Sequence, residues 1–160
     1  DLAAPPQLLA WDGVRLDRRY MEGAAMYQKP PRGDIAYFRA ALRLLRQVHQ
    51  RGVAHNDLAK EANWLVAPGE TCGIVDFQLA TRSPRRDSRF RRRAYEDLRH
   101  LLKHKRTYQP LALAARHRRL LAHATLPARL CPSLAKPVYL FVTRIVLGWP
   151  ERTGPLERRG

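Results

Sequence analysis

The twenty-six residues from His55 to Ala80 constrain this chain more than any other stretch. They read His-Asn-Asp-Leu-Ala-Lys-Glu-Ala-Asn-Trp-Leu-Val, then a Pro-Gly turn, then Ile-Val-Asp-Phe-Gln-Leu-Ala. Asp57 and Asp76 each border an apolar segment, and Asn63 lies between them. Trp64–Val66 and Thr71–Val75, joined by Ala67-Pro68-Gly69-Glu70, predict a short hairpin. Such a hairpin folds the second Asp back towards the first. Two carboxylates and an amide oxygen then share one small space. Oxygen-only groups suit a hard cation such as Mg²⁺, which takes one or two carboxylates and leaves positions for phosphate. Taken singly, each residue has a plainer reading: Asp57 as a turn former, His55 as an ordinary core or surface histidine.

The order of these residues resembles the catalytic half of the protein-kinase-like superfamily. His55-Asn56-Asp57-Leu58 is similar to the H-R-D-L loop, Asn63 to its metal-binding Asn, and Asp76-Phe77-Gln78 to D-F-G. The wording is closest to the small bacterial kinases, RIO-type protein kinases and lipopolysaccharide sugar kinases, over roughly Trp11 to Leu102. The resemblance implies ATP and Mg²⁺ as cofactors. It implies Asp57 as the base, Lys60 on the transferring phosphoryl group, Asn63 and Asp76 on the metal, and His55 as a scaffold residue near the D-F-G-like segment. Two features depart from the family pattern. Asp57 and Asn63 are six positions apart, where H-R-D-L-x-x-x-N gives five, and Gln78 stands where the family has Gly. Gln narrows the backbone options there, so large flips of the segment are disfavoured.

The charge balance is extreme. Lys and Arg number 30 against 14 Asp and Glu, a net +16. That speaks to anionic partners and not to fold. Cys72 and Cys131 have no metal-ligand spacing, and Cys72 reads as a small buried apolar residue in a strand. No run of 18 apolar residues and no leader at the first residues is visible.

In chain order, Pro6–Trp11 and Val14–Tyr20 predict two strands around an Asp12-Gly13 turn. In the resemblance, Tyr20 and Met21 then form the hinge that faces adenine. Asp34 is a predicted N-cap, and Gly52 a predicted helix end. Between them Ile35, Phe38, Leu42, Leu45 and Val48 recur at helical spacing. His49 reads as structural.

Thr81–Ala94 corresponds to an activation segment. Seven of the twelve residues from Arg82 to Arg93 are arginines: Arg82, Arg85, Arg86, Arg89, Arg91, Arg92 and Arg93. Guanidinium binds phosphate in a bidentate manner, so the run reads as an anion-docking surface, against the plainer reading of a solvated segment. Tyr95, Leu98, Leu101 and Leu102 predict the next helix. Asp97 there resembles a buried Asp that steadies the catalytic loop, with an exposed first-turn Asp as the alternative. Leu111–Ala124 predicts a further helix. Pro127, Pro132 and Pro137 mark a loop, and Val138–Leu147 a last helix, either buried or at a membrane interface.

The expected architecture is α+β and mostly helical: a kinase-like C-terminal lobe with a short N-terminal hairpin and hinge, and a small β-hairpin carrying the active site. The expected organisation is a small-lobe remnant over 1–23, the C-lobe over 24–150 and a disordered tail over 151–160. No Gly-rich phosphate loop or strand Lys precedes Trp11, and the start at Asp1 favours a truncated kinase over a degenerate one. On that reading this chain alone binds ATP weakly or not at all. The expected acceptor is a hydroxyl on a protein or an anionic glycolipid. The expected location is the cytoplasm, with peripheral contact at the inner face of an anionic membrane. The alternatives are a pseudokinase or an Arg-rich module that binds nucleic acid or membrane.

Overall fold

The computed structural model describes residues 8–67 and 72–122. The predicted turn at Pro68-Gly69, the proline-marked loop, the Val138–Leu147 helix, Cys131 and the tail lie outside the described residues. The described residues are α+β and about 50% helical. The chain divides into two compact units after Leu113.

Within the N-terminal unit, β1 (Leu8–Trp11) and β2 (Leu16–Arg18) form an antiparallel hairpin. Asp12 closes it by accepting the Val14 and Arg15 N–H groups at 2.9 and 2.6 Å. A second antiparallel sheet has the order β3 (Ala24–Ala25), β5 (Trp64–Val66), β6 (Cys72–Ile74). Its register pairs Ala25 with Leu65 and Trp64 with Ile74. A two-residue ladder joins β4 (Val53–Ala54) to β7 (Thr81–Arg82).

Helix α1 (Ile35–Gln50) starts as its sequence predicts. Asp34 accepts the Tyr37 N–H at 2.7 Å, relieving one of the unpaired donors of the first turn. Its buried stripe is Tyr37, Phe38, Ala41, Leu44, Leu45 and Val48. This is rotated from the predicted one: Ile35 is 46% exposed and Leu42 only half-buried. The cause is Tyr37. Its ring is fully buried, edge-on to Phe38 at 5.3 Å, and its hydroxyl donates to the Leu65 carbonyl at 3.3 Å. An aromatic whose polar tip finds a partner can displace a smaller aliphatic from the core. Gly52 ends the helix with φ +73°. A Cβ there would lie 2.6 Å from the Ser83 carbonyl oxygen, so both the conformation and the close approach require glycine.

Helix α2 spans Ser88–Tyr108, starting seven residues before the predicted Tyr95. Asp87 caps it by accepting the Phe90 N–H at 2.7 Å. Phe90 is buried, and it lies on the same helical face as Asp97 and Leu101, seven and eleven residues on. Arg89, Arg91, Arg92 and Arg93 therefore ride on the helix, while Arg82, Arg85 and Arg86 lie just before it. The predicted Leu111–Ala124 helix is also corrected. A 3₁₀ turn covers Pro110–Ala112, and Leu113 is extended and buried, which breaks the helical path. In the second unit, α3 runs Ala115–Ala122, its first turn held by the Ala114 carbonyl accepting from the His117 and Arg118 N–H groups.

The core gathers α1, β5, β6 and α2 around Trp64, Tyr37, Phe38, Met26, Leu58 and Leu101. Burying a side chain of this size stabilises by about 2–3 kcal/mol. Trp64 and its neighbours therefore fix the short sheet more than its few ladder bonds do. Cys72 is buried as predicted, and burial pushes its thiol up to about 12. Among the described residues, no helix is long and apolar enough to cross a membrane.

Candidate functional site

The loop between β4 and β5 is built on a buried carboxylate. Asp97, 1% exposed, receives three donors. Its Oδ2 accepts the His55 N–H at 2.7 Å and His49 Nε2–H at 3.2 Å, and its Oδ1 accepts the Asn56 N–H at 2.9 Å. A buried carboxylate needs such donors to offset the loss of water. Asp97 is thus the buried loop support and not an exposed first-turn residue. His49 is structural, as its sequence position suggests.

Asn56 takes a left-handed conformation, φ +68°, which Asn tolerates better than most residues. Its Nδ2 donates to the Leu79 carbonyl at 2.8 Å and Thr81 Oγ1 at 3.1 Å, tying the loop to the segment after Asp76. His55 is fully buried. Its Nε2–H donates to the Val75 carbonyl at 3.0 Å, and its Nδ1 accepts the Asp57 N–H at 3.3 Å. Its ring stands 4.7 Å from that of Phe77. With both ring nitrogens engaged in hydrogen bonds and no solvent contact, His55 holds the loop in place as a spacer.

Asp57 is brought out of this turn half-buried. Its Oδ2 accepts Asn63 Nδ2–H at 3.0 Å and lies 3.1 Å from Lys60 Nζ. Asn63 Nδ2 also donates to the Asp57 main-chain carbonyl at 2.9 Å. Asp57, Lys60 and Asn63 therefore meet despite the six-residue spacing. Leu58 anchors the loop between Asp57 and Lys60. Its side chain is fully buried, and its carbonyl accepts from both Trp64 Nε1 at 3.1 Å and His104 Nε2 at 2.9 Å. A 3₁₀ turn over Glu61–Asn63 then returns the chain to β5.

Asp76 follows a residue that the sheet ties to Asn63. The Val75 N–H donates to the Asn63 carbonyl at 3.1 Å, extending the Trp64–Ile74 pairing by one step. Asp76 follows with φ +64°, ψ +65°, a conformation rare outside glycine and asparagine. Among the described residues nothing donates to the Asp76 carboxylate, to Asp57 Oδ1 or to Asn63 Oδ1. These oxygens are the ones a hard cation and a hydroxyl would use, and oxygen donors fit Mg²⁺. Among the described residues, no group of three or more His, Cys, Asp or Glu side chains is placed to hold a metal ion.

Tyr20 and Met21 lie between β2 and β3. Tyr20 is 84% exposed, and the Met21 methyl packs over Gly73 of β6. Their main-chain groups make no hydrogen bonds among the described residues. Arg82, Arg85, Arg86, Arg89, Arg91, Arg92 and Arg93 are all exposed.

Three supports are absent from the motif reading: Trp64, His104 and the Glu61–Tyr108 pair, in which the Tyr108 hydroxyl donates to Glu61 Oε2 at 2.8 Å. Burial, then the Glu61 carboxylate, push the Tyr108 phenol up. The sequence signal for His104 and Tyr108 is their helical spacing with Leu101 on α2. No protein-family model matches the chain, and no curated protein matches it in sequence.

Proposed function

We propose that the N-terminal unit is the catalytic lobe of a kinase-like phosphotransferase that moves the γ-phosphoryl group of ATP to a hydroxyl acceptor. The observation that supports this reading is the convergence of Asp57, Lys60 and Asn63 on one loop, with Val75, the neighbour of Asp76, hydrogen-bonded to the Asn63 main chain. Asp57 Oδ1 is the free oxygen that accepts the acceptor's proton. Lys60 leaves Asp57 Oδ2 to meet negative charge on the phosphoryl group. Asn63 Oδ1 and Asp76 would hold Mg²⁺, which would supply positive charge against phosphate. The unpaired main chain at Tyr20 and Met21 suits an adenine edge, which needs one donor and one acceptor. The acceptor is a protein or an anionic glycolipid.

The test is phosphotransfer from Mg·ATP, measured on the protein from the whole reading frame that encodes this chain. Asp57→Ala and Asp76→Ala each lower the rate by at least about a hundredfold with folding intact. Mn²⁺ added to the labelled protein broadens the amide signals of Asn63 and Val75, and Asp76→Ala removes that broadening. A folded protein with neither activity nor Mn²⁺ broadening is a non-catalytic module, and the reading fails.

A further inference from the structure

Helix α2 begins against its own electrostatics. A helix N-terminus carries partial positive charge and is stabilised by acidic side chains. α2 instead has exposed Arg89, Arg91, Arg92 and Arg93 in its first two turns, with Arg85 and Arg86 just before them. Asp87 is the only carboxylate between Arg82 and Arg93, and it is engaged in capping Phe90. Among the described residues, none of the seven arginines pairs with a carboxylate.

Nor is the segment a loose solvated strand of charge. The Ser83 N–H donates to the Gly52 carbonyl at 2.8 Å, and Arg86 Nη2 donates to the Gln50 carbonyl at 2.6 Å. Arg86 is held at φ +45°. His49, in the last turn of α1, stands edge-on to Phe90 of α2 at 6.2 Å. These bonds bring the C-terminal end of α1 and the N-terminal end of α2 to one end of the unit. Arg51, Arg82, Arg85, Arg86, Arg89 and Arg93 gather there, all exposed. The fold has concentrated like charge at an internal cost, which an external polyanion relieves.

We propose that this end of the unit docks on the phosphate-bearing surface of an anionic lipid bilayer. The inference is independent of the phosphotransfer reading. Several exposed guanidinium groups borne on one end of the unit match a plane of phosphates, each adding attraction. Leu79, 60% exposed and three residues before Arg82, supplies an apolar side chain for the headgroup boundary. Single-stranded nucleic acid needs exposed aromatic rings for stacking. The two aromatics of the 76–93 segment, Phe77 and Phe90, both pack inward.

The experiment is co-sedimentation of the chain with vesicles of phosphatidylcholine alone or mixed with phosphatidylglycerol. The chain sediments with the mixed vesicles only. Arg85→Glu/Arg89→Glu weakens this binding about tenfold or more. Glu suits a helix N-terminus, so the fold tolerates the change. Arg85→Gln/Arg89→Gln, which only removes charge, weakens binding by less but in the same direction. Lys29→Glu/Arg32→Glu makes the same net-charge change before the start of α1 and alters binding by less than about twofold. Equal losses in the two Glu variants overturn the proposal, as does vesicle binding that ignores Arg85 and Arg89. Tighter binding of single- or double-stranded nucleic acid than of mixed vesicles, at the same salt, overturns it as well.

Discussion

Asp97 accepts three hydrogen bonds in a place water does not reach, so its replacements should separate charge from shape. Asp97→Ala orphans the N–H groups of His55 and Asn56 and the His49 ring, and costs about 3 kcal/mol or more. Asp97→Asn keeps the volume. Its one oxygen can serve His55 and His49, but its amide then faces the Asn56 N–H. We expect an intermediate loss of about 1–3 kcal/mol in urea denaturation. We also expect faster amide exchange at Asn56 than at His55. Equal exchange at the two positions would count against this division of labour. Leu58 is the complementary case, an acceptor clamped by two donors.

At the scale of elements, the two long helices share a cap and differ in what surrounds it. Asp34→Ala removes the α1 cap and costs about 1 kcal/mol. Asp87→Ala removes the same bond from α2 and also the one negative charge among the arginines, adding a few tenths to about 1 kcal/mol. Asp87→Asn keeps a cap and loses only the charge. The excess cost at Asp87 should therefore persist in the Asn variant and shrink as salt is raised. Denaturation midpoints at low and high salt measure it, and a salt-independent excess would rule the charge out. Caps were legible in the sequence because they are local: Asp34 and Gly52 bracket α1 where expected. The start of α2 was not, because seven arginines obscured one inward Phe90. The rotation of α1 escaped as well, since Tyr37 reads as polar or apolar until its hydroxyl has a partner.

For the whole molecule, acid should act through α2. Burial pushes His104 down to about 4, against a pull upward from its bond to the Leu58 carbonyl, with His100 and Lys103 adding to the depression. Burial also takes His100 to about 4, with Lys103 the next contributor. The fold holds both rings neutral, while the unfolded chain protonates near the ordinary 6.5. Their contribution is therefore complete above pH 6.5 and is lost as pH falls towards 4, by about 3 kcal/mol for His104. His104→Gln retains a donor for Leu58 and cannot titrate. Thermal melts across that window should show a flatter slope for the variant, with the remainder due to His100. An unchanged slope would remove His104 from the account. This buried support was invisible to motif reading, because His104 and Leu58 are 46 residues apart. The residues at the site's mouth were legible because they share one short stretch.

Asp97 has a mechanical consequence. One oxygen atom, Oδ2, holds both the last turn of α1, through His49, and the first residue of the loop, through His55. The carboxylate itself rides on α2. A shift of α2 along its axis must either carry Asp57 with it or break one of these bonds. The arginine-bearing end of α2 and the oxygens around Asp57 are thus two arms of one short lever, pivoted on a single side chain.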